Sequence, residues 1–328
     1  MISLHVFQIW MDGQQILHFD FYALAEITRP AVPLFLMISG ALLLNRDIEL
    51  NSFFKKKWVR LIYPFIFYLI IHMIVLRDGD FNVLGYNWYF WMIIGVYLSI
   101  PIINKFIVNS KFSELEFFVA MILISLTIYQ FLFILKIENY IDLNFFVGPI
   151  SYLILGYYFS VKEFKLNVNS IIAISLSIFI LVSVLKSLCV LNYIPHEFIS
   201  NFVCYNNNLH SSWIRVGIFE VIQTSSLFVF IKYLYKSNFG FYNSVKNVLQ
   251  KDNIKKFIIS VSKASYGMYL INRTLMLFCD WYIHGLPLTG KEMCIYFVVL
   301  TSSIFLISWI IVVILSKIPF VRKFSGYS

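Results

Sequence analysis

Seven residues of this 328-residue chain have chemistry that does not suit their surroundings. His5, Glu26, Arg29, Lys186, Arg215, Glu220 and Arg273 lie in or beside strongly apolar runs. An ionisable group in such a run is costly unless paired, so each is a functional candidate, with a paired structural residue as the alternative. His5 is the best base, because imidazole titrates near neutral pH and can take a proton from an attacking hydroxyl. Arg29 is a fixed cation three residues after Glu26, so the two can pair on a helix. Otherwise its roles are binding an anionic or developing oxyanion group, or reaching out to a membrane interface. Pro30 is tolerated in a first helical turn and disfavours α geometry at Arg29, so the helix of "TRPAVPLFLMISGALLL" is expected to begin there. Ser39 and Gly40 within it read as a small-residue contact between helices, not a nucleophile, since no Gly-x-Ser-x-Gly elbow surrounds them. Lys55, Lys56, Lys57 and Arg60 could hold phosphates as point charges. Membrane topology and anionic lipid explain the same run, and on charge alone explain it better. The six His residues are scattered, with no paired-His or Cys-x-x-Cys spacing and no glycine-rich phosphate loop. No metal site and no permanently bound cofactor is therefore expected.

The elements that must position these residues follow from composition. Hydrophobic residues make up 60% of the chain and charged residues 13%, about half the charged share of a soluble domain. So much apolar surface cannot be hidden in one aqueous globule, and the chain reads as a polytopic membrane protein. The runs lack strict alternation, which points to an all-α helix bundle and away from a β-barrel. Helices are expected near 1–10, 30–44, 61–76, 88–108, 115–135, 144–160, 169–191, 213–235, 258–280 and 293–316, in a single domain over 1–328. That makes ten transmembrane elements, the first of them truncated, since a span needs roughly 20 residues. No basic stretch precedes the first apolar run, so no cleavable signal is expected.

Loop charge sets the orientation. With the N-terminus inside, the inner loops and tail carry Arg46, Lys55, Lys56, Lys57, Arg60, Lys105, Lys111, Lys162, Lys165, Lys236, Lys246, Lys251, Lys255, Lys256, Lys317, Arg322 and Lys323. The opposite side carries only Arg29, Arg77, Lys136 and Lys291, so both termini are expected in the cytoplasm. The net charge of +9 is thereby a topology signal and not a sign of nucleic acid. The outer loop 192–212, with "NFVCYNNNLHSSW", reads as a solvated loop, with a sugar-binding rim as the sharper alternative. All four cysteines fall toward the outer side, where disulfides are permitted, although four small buried thiols is the preferred reading.

Several segments, in order, resemble the membrane acyltransferase-3 family. "TRPAVPLFLMISGALLL" is similar to its most specific signature, an Arg before a Val-Pro-Leu-Phe-Phe-Met-Ile-Ser-Gly-like run. "KKKWVRLIYPF", "NWYFWMIIGVYLSIPII", "YLILGYYFS" and "SYGMYLIN" look like its basic helix entry, its Trp-Tyr-Phe helix, its Leu-Gly-Tyr helix and its late Ser-x-Gly-x-Tyr-x-x-His segment. The resemblance implies ten core membrane helices and transfer of an acyl group, usually acetyl from acetyl-CoA, to sugar hydroxyls of surface polysaccharides. It places His5 at the family's catalytic His and Arg29 in its signature. It also implies acceptor contacts from Glu26, Trp88, Tyr97, Asn272 and Arg273, and donor contacts from Lys55, Lys56, Lys57 and Arg60. Implied partners are acyl-CoA, a surface or lipid-linked glycan and membrane lipids, in a bacterial inner membrane.

Two departures accompany it. The family's hallmark Arg ahead of the His has no counterpart, since the chain begins four residues before His5, and Asn272 stands where the late segment carries His. Asn can hydrogen-bond but cannot carry a proton through neutral pH. Two readings stay open: an acyltransferase whose first helix starts further upstream, and an inactive member or glycan or lipid exporter that kept the fold.

Overall fold

Long apolar runs have one way to satisfy their backbone without water, which is to bond within themselves, and helices follow. The computed structural model describes residues 2–13, 19–76, 88–135, 148–191, 217–237, 240–283 and 290–327. These form α1 (Ile2–Gly13), α2 (Phe19–Thr28), α3 (Ala31–Leu43), α4 (Leu50–Leu76), α5 (Trp88–Asn109) and α6 (Phe112–Ile134). Then come α7 (Pro149–Val161), α8 (Val168–Val190), α9 (Ile218–Lys236), α10 (Gly240–Leu249), α11 (Asp252–Ile283) and α12 (Gly290–Lys317). No strand occurs among the described residues. Seven stretches of them are long and apolar enough to cross a bilayer, including Ala23–Leu43, Leu50–Val75 and Glu292–Lys317. Only 17% of the apolar window in the last is buried by protein, so most of that helix presents its side chains outward, as a lipid-facing helix does. The protein is a multi-pass helical membrane protein.

The element list departs from the sequence expectation in places that hydropathy cannot see. α4 begins eleven residues before the apolar run at 61, because Lys55, Lys56 and Lys57 are good helix formers on a solvated first turn. α11 likewise starts at Asp252, not 258. α2 and α10 were not expected at all. α3 begins at Ala31 with Pro30 as its N-cap, as the prolines suggested, although α2 ends only just before it. The Arg29 N–H still bonds the Ala25 carbonyl at 3.1 Å and the Leu34 N–H the Pro30 carbonyl at 2.7 Å. Arg29 and Pro30 form the turn between the two helices, so Arg29 stands at the mouth of α3, inside the longer apolar stretch Ala23–Leu43.

The described chain forms two compact units. The first comprises 1–21, 48–94 and 243–328, the second 22–47 and 95–242. In the first, α11 packs on α1, α4 and α12, and α1 also lies on α12. The short tail after α12 folds back on the unit: Ser325 is fully buried, its carbonyl accepts from the Tyr68 hydroxyl at 3.0 Å, and Gly326, at φ +72°, lies against the backbone of Gly267.

In the second unit α9 is central, touching α3, α6, α7 and α8. Its first turn is met by Gln130, whose Oε1 accepts from the Ile218 N–H at 3.0 Å. Near the other end Lys232 donates to the carbonyls of Phe159 and Lys162 at 3.0 and 2.7 Å, satisfying the free end of α7. Glu163 beside it is held at a pKa of about 2 by hydrogen bonds from Lys236 and Lys232. Asn104 clasps the backbone of Arg46 through both of its polar ends, tying α5 to the chain just after α3. Cys189 is disulfide-bonded, which corrects the preferred reading of four free thiols, while Cys294 is not in a disulfide. Cys204, the side chain of Cys279 and the whole loop 192–212 lie outside the described residues.

The tightest packing is between α3 and α7. The backbone of Leu153 fills the space a Cβ on Gly40 would need, and the backbone of Met37 does the same at Gly156. Gly40 makes the interhelical contact its sequence suggested, while Ser39 turns its hydroxyl back to the Phe35 carbonyl of its own helix at 2.9 Å. Gly40→Val or Gly156→Ala should abolish the monodisperse peak of the detergent-solubilised protein. Gly95→Ala, where nothing lies within 4 Å, should leave it unchanged. Normal profiles in the first two variants would mean the helices have room to separate.

Candidate functional site

The sequence candidates divide between the two units. In the second, α2, α8 and α9 assemble a buried charge network. Arg29 Nε donates to Glu26 Oε1, as the three-residue spacing suggested. Glu26 Oε2 lies 3.0 Å from Lys186 Nζ, which also pairs with Glu220 and donates to Gln223 Oε1 at 2.9 Å. Gln223 Nε2 then donates to the Ser183 hydroxyl at 2.7 Å and the Glu26 carbonyl at 3.0 Å. Two cations and two carboxylates balance, and all but Arg29 are buried. This is how an apolar bundle tolerates charge: each group has an opposite partner and further hydrogen bonds. Four of the seven misplaced groups therefore lock helices together. Arg215 and the side chain of Arg273 lie outside the described residues.

The first unit holds a different arrangement. His5, on α1, is buried, 8% exposed. Its ring meets Tyr269 of α11 edge-on, centroids 6.4 Å apart, and Tyr269 in turn meets Tyr89 of α5 at 4.9 Å. The imidazole thus sits buried against an aromatic edge, with little access to bulk water. Trp88 packs edge-on against Tyr89 at 6.0 Å. Asn272 lies on α11 three residues after Tyr269 and is fully buried. Two residues further on, the Thr274 hydroxyl is 3.0 Å from Nδ1 of the buried His72. Neither His72 nor Tyr269 was singled out from sequence. A His in an apolar run was the available signal for the first, and the Tyr of the late motif for the second. Lys55, Lys56 and Arg60 are exposed and Lys57 half-buried on the first turns of α4, with Lys57 over the Phe53 ring at 5.8 Å.

The first unit thus contains His5, Lys55, Lys56, Lys57, Arg60, Trp88 and Asn272, and the second contains Glu26, Arg29 and the half-buried Tyr97. A family model, Acyl_transf_3, described as an acyltransferase domain, matches residues 1–313. The chain belongs to the acyltransferase-3 family. As a family member it is a membrane acyltransferase, and the match runs through both units and nearly all of the helices described above. No curated protein and no solved structure matches it.

The network makes a direct prediction. Lys186→Met leaves Glu26 and Glu220 buried with one cation between them, and should destabilise the folded protein by about 3–5 kcal/mol. Lys186→Met combined with Glu220→Leu removes one charge of each sign and should recover most of that loss. Thermal unfolding in detergent distinguishes them. A double variant less stable than the single would mean that the two residues act separately.

Proposed function

We propose that the protein is an O-acyltransferase that moves an acyl group, acetyl in the simplest case, from acyl-CoA to a sugar hydroxyl of a surface polysaccharide or its lipid-linked precursor. The observation that carries this is the buried His5, held against Tyr269 in the same unit as the basic start of α4. Imidazole takes the proton of the attacking hydroxyl, the oxygen bonds to the thioester carbon, and the carbon–sulfur bond breaks to release coenzyme A as a thiol.

Orientation supports a division of labour. The Lys and Arg bias supports an orientation with both termini in the cytoplasm, and the resemblance to the family supports a bacterial inner membrane. A disulfide at Cys189 fits an oxidising compartment at the far end of α8. In that frame Lys55, Lys56, Lys57 and Arg60 face the cytoplasm, where the phosphates of acyl-CoA would be held as by point charges. Asn272 is 20 residues into α11, so it sits about 30 Å from the helix start, toward the outer face. Trp88 begins α5 on that same side. The donor then enters from within and the glycan from without. In the second unit, Glu26 fixes the guanidinium of Arg29.

His5→Ala should abolish acylation of the surface glycan, read by mass spectrometry from a complemented deletion strain, with normal expression and insertion. His5→Gln should fail equally, because it keeps hydrogen bonding without basicity. Full acylation in either variant removes His5 from the mechanism.

A further inference from the structure

We propose that Asn272 positions the acceptor by reading a neutral group that both donates and accepts hydrogen bonds, a sugar hydroxyl beside the one that reacts. This rests on the acyltransferase reading above.

The observation is a contrast among buried amides. Four Asn or Gln side chains are buried among the described residues: Asn104, Gln130, Gln223 and Asn272. Asn104 holds the Arg46 backbone through both ends, Gln130 accepts from the Ile218 N–H, and Gln223 bonds Ser183, Lys186 and Glu26. Asn272 is 0% exposed, yet neither its Nδ2 nor its Oδ1 has a hydrogen-bond partner among the described residues. Buried amide ends are nearly always satisfied, and leaving both ends unmet is costly in an apolar bundle. The Thr274 hydroxyl, two residues further on, bonds His72 and not this amide.

The surroundings select the ligand class. A primary amide presents two N–H donors and a carbonyl acceptor side by side. A phosphate or carboxylate would face the carbonyl lone pairs, and an ammonium would face the N–H groups. A fatty chain would leave both ends unmet. A hydroxyl satisfies donor and acceptor together. One turn away Tyr269 touches His5 and Tyr89, so a hydroxyl-bearing ligand held here meets aromatic surface with the base close by.

The test uses the full chain in lipid nanodiscs, with acetyl-CoA as donor and the host's own chemically O-deacylated surface polysaccharide as acceptor. Asn272→Leu keeps the volume and removes both polar ends. It should raise the acceptor KM about tenfold or more while the unfolding temperature stays level or rises, because an unpaired buried amide has been removed. Asn272→Asp, which keeps the shape but offers no donor when ionised, should also raise the acceptor KM. An acceptor KM within twofold of wild type in Asn272→Leu overturns the inference. So does a collapse of its stability, which would make the amide structural. A wild-type protein that transfers nothing to the polysaccharide overturns the acyltransferase reading itself, and the inference with it.

Discussion

A bilayer offers no hydrogen bonds, and this one constraint organises the structure. Every polar group placed among the apolar helices must be met by the protein or by something the protein binds. The second unit meets its own. Arg29, Glu26, Lys186 and Glu220 neutralise each other, while Gln223 and Ser183 take up further donors and acceptors. Such a network contributes little net stability against a well-packed apolar substitute, but breaking it on one side is severe. Its effect is to fix which faces of α2, α8 and α9 meet.

Close packing does the rest. Gly40 and Gly156 bring the backbones of α3 and α7 together, where lipid supplies no hydrophobic drive for helices to associate. The first unit uses the same device at Gly267 and Gly326, with the Tyr68 hydroxyl closing over the Ser325 carbonyl. In each unit the helices are held by backbone approach and a few buried hydrogen bonds. His5 instead lies against the Tyr269 ring, and neither end of the buried Asn272 amide has a hydrogen-bond partner among the described residues.

Much of this was legible in the sequence and some was not. Apolar runs gave most of the helices because hydropathy reports burial in lipid directly. α10 and the charged starts of α4 and α11 escaped, since helices continue into water where hydropathy falls silent, and α2 escaped because Asp20, Glu26 and the adjoining Arg29 interrupt its apolar run. The Glu26–Arg29 pair was readable because three residues on a helix are neighbours. The partnership of Lys186 with Glu26 and Glu220 was not, because tertiary packing makes it between three different helices, Glu220 lying 34 residues away and Glu26 much further. His5 stood out as a base in an apolar run, but its partner Tyr269 comes from the other end of the sequence. The unmet amide of Asn272 is likewise invisible without knowing what surrounds it. Cys189 shows the same limit, since sequence supplies thiols but not the distance between them.

The central claim is that the unit carrying His5 transfers an acyl group from a thioester to a glycan. It is tested most directly with the purified protein in nanodiscs and acetyl-CoA radiolabelled in the acetyl group. The account predicts that label accumulates in the O-deacylated polysaccharide, matched mole for mole by release of free coenzyme A thiol. Release of thiol without label in the glycan, or neither above the level of empty nanodiscs, would contradict it.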